Sequence, residues 1–439
     1  MRFIGCLALL ASWLVLSEVV LVADEWPQWR GPQRDGVWRE TGIIDRFPSD
    51  SIEAVWRQPI GAGYSGPTVA DGRVYVTDRI VEPEQIERIH CFDWKTGQKA
   101  WSHQYRCAYT IGYQAGPRAS VTVDDGRAYA LGAMGHFHCL DAESGKLLWA
   151  RALNDEYQIE ASGRMPIWGI ASSPLIYQDL VIVHVGAKKD ASIVAFDRTS
   201  GEERWRSMND RAQYSAPIIV QQAGRDVLVC WTGDSVAGID PASGKVHWRV
   251  PFTPRNMPIG IATPVVDENR LFVTSFYDGS LMLRLRQDSV GVETLWQRAG
   301  RDEKNTDALH SIISTPILAG SHIYGVDSYG ELRCLDAATG DRIWEDQSAT
   351  PRNRWSNIHF VRNGDRTWMF NEMGKLIISK LDANGFHEIS RAQLIDPTPV
   401  QLSGSGRRQG VCWAHPAFAH KHVFIRNDNE LICASLAAE

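Results

Sequence analysis

The sequence predicts an all-β protein: an eight-bladed β-propeller of four-stranded antiparallel blades, closed by an N-terminal strand that completes the last blade. Three observations predict this fold. A short phrase of aspartate, glycine and tryptophan recurs at intervals of about 43 to 56 residues. Each interval holds four short runs of alternating apolar and polar residues. The chain also has 17 tryptophans, many of which fall at the same place in successive intervals.

Composition and charge exclude several classes of protein. The 439 residues are 44% hydrophobic and 22% charged, which is ordinary for a globular chain and excludes disordered, collagen-like and coiled-coil proteins. The formal net charge is -6. This charge argues against a protein built to hold nucleic acid or an anionic membrane surface, so we expect no nucleic-acid partner.

The N-terminal segment has the features of an export signal. Met1 and Arg2 precede an apolar run over residues 3–16, and Ala23 offers a small residue at a cleavage point. We expect a signal peptide at 1–23, an N-terminal extension at 24–53 and the propeller at 54–439. The product is then a periplasmic or secreted monomer whose mature chain does not span the membrane, with an uncleaved N-terminal anchor as the alternative.

The repeated phrase is Asp-x-x-(Ser/Thr)-Gly-x-x-x-Trp. Aspartate accepts hydrogen bonds from the backbone ahead of it, and glycine takes the positive φ of a tight turn, so the phrase predicts the hairpin between the third and fourth strands of a blade. Degenerate copies end at Trp296 and Ile389, and Trp56 lies one period before the first full copy. The five full copies begin at Asp93, Asp141, Asp197, Asp240 and Asp336.

A single four-stranded unit of this length cannot bury both of its faces. Units stacked around an axis cover each other, which makes a propeller and places the repeated tryptophans between neighbouring blades. Seven units are complete between about residues 65 and 391, and the eighth has three strands, at 416–418, 422–426 and 430–434. We expect residues 54–59 to supply its outer strand, which removes an open sheet edge.

The repeated phrase, with Ser-Ala-Pro or Ser-Thr-Pro at the start of units, resembles the PQQ-type propeller repeat. This repeat occurs in quinoprotein alcohol dehydrogenases and in the BamB family of outer-membrane barrel assembly. The segment Trp26-Pro27-Gln28-Trp29-Arg30-Gly31-Pro32 is similar to the leader of exported members. The resemblance covers nearly the whole mature chain and specifies the fold, whereas one fold hosts many functions.

The resemblance to quinoproteins implies a disulfide between adjacent cysteines over PQQ, a tryptophan beneath it, and acidic and amide ligands for Ca²⁺. No two cysteines are adjacent here. Four of them occupy the same third-strand position in different blades, where two other blades have Ala195 and Gly238. This pattern indicates small, buried, free thiols; the four are Cys91, Cys139, Cys334 and Cys433. We therefore expect no PQQ or Ca²⁺.

Other catalytic and metal-binding patterns are weak. His136 and His138 share one face of a strand, as do His420 and His422, but neither pair has a third ligand in view, so we interpret them as strand histidines and expect no metal site. The chain has no phosphate-binding loop and no nucleophile elbow. The sequence assigns no catalytic residue and does not support an enzyme.

Three functions stay open: a non-catalytic scaffold that binds a protein or peptide in the cell envelope, a PQQ-dependent oxidoreductase, and a propeller that binds envelope polysaccharide. The first is favoured. Alignment of the units at their Ser-x-Pro starts places aromatic residues and one arginine at the mouth of the central channel. Such residues dominate binding hot spots, although they could instead pack the loops together. They are Tyr64, Arg118, Trp168, Tyr214, Trp355 and Trp413.

Overall fold

The computed structural model describes residues 25–402 and 409–438, and in these ranges 32 strands form eight four-stranded antiparallel sheets. The sheets are the blades of a β-propeller, so the predicted fold class is confirmed. The predicted signal peptide at 1–23 lies outside the described residues. Within the described ranges, no helix is long and apolar enough to cross a membrane.

The first four blades follow the chain without crossovers. Blade one has β2 (Thr68–Ala70), β3 (Arg73–Ile80), β4 (Ile86–Asp93) and β5 (Lys99–Arg106), and blade two has β6 (Thr122–Asp124), β7 (Arg127–Leu131), β8 (His136–Asp141) and β9 (Leu147–Ala152). Blade three has β10 (Leu175–Tyr177), β11 (Leu180–His184), β12 (Ile193–Asp197) and β13 (Glu203–Ser207), and blade four has β14 (Ile218–Gln222), β15 (Arg225–Trp231), β16 (Ser235–Ile239) and β17 (Val246–Pro251).

The next three blades repeat this order, and two short helices lie in the connections, α1 (Leu153–Glu156) and a 3₁₀ turn (Val400–Leu402). Blade five has β18 (Val265–Asp267), β19 (Arg270–Ser275), β20 (Gly279–Leu285) and β21 (Val292–Arg298), and blade six has β22 (Ile317–Ala319), β23 (His322–Val326), β24 (Leu332–Asp336) and β25 (Arg342–Asp346). Blade seven has β26 (Ile358–Asn363), β27 (Arg366–Asn371), β28 (Lys375–Asp382) and β29 (Gly385–Gln393).

The eighth blade joins both ends of the described chain. It contains β30 (Ala417–Ala419), β31 (His422–Arg426) and β32 (Glu430–Ser435), and its outer strand is β1 (Ala54–Pro59). Strand β1 pairs antiparallel with β32, with Trp56 opposite Cys433. The predicted closure is therefore confirmed.

The first strands of neighbouring blades contact each other around the axis, and the fourth strands lie outermost. In the described chain, outer-strand tryptophans connect six of the eight blades to the next blade. The Trp149 indole Nε1 donates to the Arg198 carbonyl of blade three at 3.2 Å, and its ring covers the turn glycine Gly201. Four other outer-strand tryptophans donate to the equivalent carbonyl of the following blade: Trp56, Trp101, Trp205 and Trp296. Trp344 donates to the Asp382 carbonyl in the β28–β29 turn of blade seven.

In six blades the third-strand residue opposite the outer-strand tryptophan is cysteine, alanine or glycine, whereas blade five has Met282 opposite Trp296. Gly238 lies opposite Trp248 in the sheet, and a Cβ atom at Gly238 would come within 2.2 Å of that indole. Cys139 lies opposite Trp149 in the same way and is fully buried. All seven cysteines of the described chain are buried free thiols.

The leader, which we define as residues 25–53, crosses the central channel before β1 begins. The leader lies at the end of the channel where the first strand of each blade turns into the second. At blade seven, the Trp38 N–H donates to the Arg362 carbonyl near the end of β26 at 2.8 Å. Deeper in the channel, the Trp29 indole Nε1 donates to Thr263 Oγ1 at 2.8 Å. Trp26 and Trp38 are almost fully buried against the propeller.

Arg34 fixes the leader to the start of blades three and four. Its buried guanidinium donates to the Pro217 carbonyl at 3.1 Å and to the Pro174 carbonyl. It also donates to the Gln28 side chain of the leader at 2.8 Å. Burial lowers the pKa of Arg34 to about 9. The leader thus blocks the channel from the end opposite the predicted binding residues.

Candidate functional site

An aromatic cup lies at one end of the central channel, on the face where each outer strand connects to the first strand of the next blade. The cup has a volume of about 130 Å³. Engineered apolar cavities of roughly 150 Å³ accept one benzene molecule, so the cup has room for one ring or one branched side chain. Its rim is Tyr64, Tyr113, Arg118, Trp168, Tyr214, Trp355 and Trp413.

The structure brings together in this cup all six residues that the sequence placed at the channel mouth. Trp168 stacks on Tyr214 at a centroid distance of 5.2 Å, and Tyr64 stacks on Trp413 at 6.5 Å. Trp355 lies between these pairs and makes edge contacts with Trp168 at 5.9 Å and with Trp413 at 6.3 Å. The rings therefore form a continuous aromatic wall.

Tyr113 is a cup residue that the sequence analysis missed. Its ring contacts Trp168 and Trp355 at centroid distances of 5.6 Å each and Trp413 at 6.3 Å. It comes from the connection between blades one and two, which has no counterpart of equal length in other units, so the Ser-x-Pro alignment could not place it. Its φ of 54° is in the left-handed region, which non-glycine residues seldom adopt.

Arg118 positions the segment that carries Tyr113. Its guanidinium donates to the carbonyl of Gly112 at 2.9 Å and also to the carbonyls of Gly116 and Tyr113. The same guanidinium lies 4.8 Å from the centre of the Tyr64 ring, within cation–π range. Much of its hydrogen-bonding capacity is thus used within the protein, and this residue supports the cup as well as lining it.

The polar atoms of the cup are mostly paired with the protein. The Tyr64 hydroxyl donates to the Gln401 carbonyl at 2.9 Å, and the Trp413 indole donates to Glu372 Oε2 at 3.1 Å. The Trp168 N–H donates to the Tyr214 hydroxyl at 3.2 Å. Trp355 differs, because its buried indole Nε1 has no hydrogen-bond partner.

The floor of the cup contains a leader tryptophan and two histidines. Trp29 lies 5.0 Å from the His415 ring, and His415 lies 4.9 Å from His359. Burial lowers the pKa of His359 to about 4 and that of His415 well below its ordinary value. Both imidazoles are therefore neutral at physiological pH, and the floor carries no charge from them.

The side chains of the cup do not fit PQQ and Ca²⁺. Ca²⁺ takes about six to eight oxygen ligands, largely from carboxylates, amides and carbonyls. The lining of the cup, as far as the described residues go, includes no carboxylate or amide side chain. The cysteines of the described ranges are single in sequence and buried. Trp29 beneath the cup is a feature shared with the tryptophan floor that the quinoprotein resemblance implies.

The repeat, the sealed channel and the cup together define a propeller of the PQQ-type repeat class. A family profile described as "Outer membrane protein assembly factor BamB" matches residues 85–346 and 189–438. The chain belongs to this family.

Curated relatives include BamB proteins and quinone-dependent dehydrogenases. The chain is 22% identical to BamB of Burkholderia pseudomallei over 311 residues, which are 70% of this chain and 62% of that protein. It is 21% identical to BamB of Yersinia pestis, over 58% of this chain and 61% of that protein. Quinohemoprotein alcohol dehydrogenase ADH-IIG of Pseudomonas putida is 24% identical over 66% of this chain and 39% of its own length. The match spans about three fifths of the two BamB proteins.

Solved structures show the same fold. BamB from Moraxella catarrhalis superposes with a TM-score of 0.53 and 15% identity, covering 88% of this chain and 99% of that one. A europium-containing methanol dehydrogenase superposes with a TM-score of 0.64 and 12% identity, covering 92% and 89%. At these identities the likeness concerns the fold alone.

Proposed function

We propose that this chain is a non-catalytic scaffold of the cell envelope, exported as the N-terminal sequence predicts, that binds a partner protein through the aromatic cup. The chain belongs to a family whose profile is described as an outer membrane protein assembly factor, and this membership supports a role in that assembly. The rigid eight-bladed ring supplies the platform, and the loops on the cup face supply the contacts.

The cup is the observation that carries this proposal. Binding hot spots are enriched in Trp, Tyr and Arg, which offer large contact areas with fixed polar groups. The cup concentrates six such aromatic rings around a space for one apolar side chain. We propose that the Trp355 ring turns on binding, so that its buried, unpaired indole N–H donates to a backbone carbonyl of the bound segment. A buried donor without a partner is costly, and this bond would remove that cost on binding.

The contacts also decide which cup residue to change. The Trp168 side chain is partly exposed, and it contributes to the cup through ring contacts with Tyr113, Tyr214 and Trp355. Arg118 and Trp413 instead hold loops through hydrogen bonds. Trp168→Ala therefore removes one wall of the cup with less effect on the loops.

The test is a peptide-display selection on the full chain, followed by affinity measurements on the selected peptides. We expect enrichment of a large apolar residue, and at least a tenfold loss of affinity in Trp168→Ala. Trp94→Ala is the matched control. Trp94 lies in the β4–β5 turn, far from the cup, where it stacks on His420 of the β30–β31 turn. Equal affinity of the Trp168→Ala variant would refute the proposal, as would selective binding of envelope glycans in place of peptides.

On this proposal the cup works without a cofactor. An absorbance scan of the purified protein with added PQQ and Ca²⁺ tests that point directly. We expect the spectrum of the mixture to equal the sum of its parts. A saturable spectral change would instead favour the oxidoreductase.

A further inference from the structure

A cluster of three metal-ligating side chains lies between blades one and two, away from the cup. Glu87 is on β4, Cys107 follows β5, and His136 is the first residue of β8. Their ligand atoms, one from each residue, all lie within 4.8 Å of one another. The Cys107 Sγ and His136 Nδ1 atoms are 3.6 Å apart.

These spacings suit a tetrahedral ion. Zinc binds cysteine sulfur at about 2.3 Å, histidine nitrogen at about 2.0–2.1 Å and carboxylate oxygen at about 2.0–2.2 Å, so neighbouring ligand atoms of a tetrahedron are roughly 3.3–3.6 Å apart. The sulfur-to-nitrogen distance agrees with that edge. The carboxylate oxygen is within reach after a small side-chain adjustment.

The charge of Glu87 supports a cation at this place. Its carboxyl is fully buried and accepts hydrogen bonds from the hydroxyls of Tyr105, at 2.5 Å, and Tyr109, and from the Ala133 backbone N–H at 3.2 Å. Among the described residues it forms no ion pair with a basic side chain. The nearby Arg79 guanidinium stacks on the Tyr109 ring and donates to the Gln114 carbonyl. A buried carboxylate is expensive unless it is paired or coordinates a metal.

The surroundings hold the three ligands in place and leave one side open. A Cβ atom on Gly132 would lie 2.2 Å from Glu87 Oε2 and 2.4 Å from the Tyr105 hydroxyl, so the bare glycine lets β8 approach the carboxylate. Glu87 and Cys107 are buried, whereas His136 is partly exposed. Solvent can thus reach the cluster from the imidazole side.

We propose that Glu87, Cys107 and His136 form a Zn²⁺ site, with a water molecule as the fourth ligand. One thiolate, one imidazole and one carboxylate form a donor set that suits zinc and disfavours Mg²⁺ and Ca²⁺, which prefer oxygen ligands alone. The ion neutralises the buried Glu87 carboxylate. It also ties the start of the 107–117 segment to blade two. The sequence could not show this site, because its ligands are separated by 20 and 29 positions and meet only across two blades.

The test is a titration of the metal-stripped full chain with Co²⁺, followed by competition with Zn²⁺. We expect one equivalent of Co²⁺ to bind, with the near-ultraviolet charge-transfer band of a cobalt thiolate. The band should disappear in Cys107→Ser. It should persist in Cys139→Ala, which removes another buried free thiol of the same region.

His136→Ala keeps the proposal testable if the serine variant does not fold, because His136 is partly exposed. We expect this variant to bind Zn²⁺ at least about 100-fold more weakly, a loss larger than the 10–100-fold typical of a lost outer-shell partner. The proposal is overturned if the parent shows no saturable one-to-one binding, if the band survives in Cys107→Ser, or if His136→Ala binds Zn²⁺ as the parent does. Any of these results would leave an ordinary thiol–imidazole hydrogen bond.

Discussion

The repeated phrase stabilises the ring through two kinds of contact, one within its own turn and one with the preceding blade. In blade two, Asp141 Oδ1 accepts hydrogen bonds from the backbone N–H of Ser144 at 2.8 Å and from its hydroxyl at 2.6 Å. These bonds lower the pKa of the Asp141 carboxyl. Gly145 then takes a φ of 72° and lies beneath the Trp101 ring of blade one. The phrase therefore closes a turn and also forms the contact surface for the preceding blade.

The two roles of the turn glycine can be separated by experiment. In Gly145→Ala the new Cβ would lie 2.5 Å from Trp101 Cδ2, and the residue would also adopt a left-handed conformation. Gly126 has a similar φ of 69°, and a Cβ atom added there would meet no other atom within 4 Å. We expect Gly126→Ala to lower the free energy of unfolding by about 1–2 kcal/mol. Gly145→Ala should cost roughly 1–3 kcal/mol more, because of the clash. Urea denaturation measures both, and equal losses would contradict the contact role.

At the scale of elements, the sequence predicted the repeated parts well. Periodic strands and the Asp-Gly-Trp phrase, intact or degenerate, recur around the ring. A strand that is hard to assign in one unit can therefore be assigned by comparison with the other units. The missing outer strand of blade eight followed from counting, since a closed ring leaves no unpaired edge. Tyr64, Arg118, Tyr214 and Trp413 followed from aligning equivalent unit starts. Trp168 and Trp355 followed because they lie close to the same position in their units.

The parts that the sequence could not predict are those that occur once. The path of the leader depends on single contacts, such as Trp29 with Thr263 and Arg34 with the Pro217 carbonyl, which no periodicity reveals. Tyr113 belongs to a connection of individual length. Glu87 and Cys107 meet through strand register and the tight approach at Gly132. Long-range contacts of unique segments are fixed by packing in three dimensions, which a one-dimensional pattern does not record.

Closure by β1 can be distinguished from the contribution of the leader with two truncations. One removes residues 25–53 and keeps β1, and the other removes residues 25–59. The first loses the channel contacts but leaves the pairing of Arg57 with Ile432 and of Gln58 with Leu431. The second leaves β32 as an open edge, so we expect additional aggregation and faster amide hydrogen exchange on the β1-facing side of β32. Unchanged exchange in the longer truncation would show that β1 does not close the ring.

At the scale of the whole molecule, many histidines are buried in a neutral state within the ring. Burial lowers the pKa of His138 to about 3 and of His184 and His359 to about 4. Burial also lowers the pKa of His90 and His310. These residues lie in several blades and in the cup floor, so protonation is opposed throughout the structure.

This distribution predicts loss of stability in mild acid. An unfolded histidine has a pKa near 6.5, so below that pH the unfolded chain binds protons that the folded chain excludes. The stability that these histidines contribute is therefore fully present above pH 6.5 and falls as the pH drops toward the folded pKa values near 4 and 3.

Each of these buried histidines changes the free energy of unfolding by about 1.4 kcal/mol per pH unit. Together, His138, His184 and His359 should lower the free energy of unfolding by about 4 kcal/mol between pH 7.5 and 5.5. Urea denaturation at the two pH values measures this change. The variant His184→Gln should reduce it by about one third, and a stability that stays constant over this range would show that the three imidazoles are not excluded from protonation.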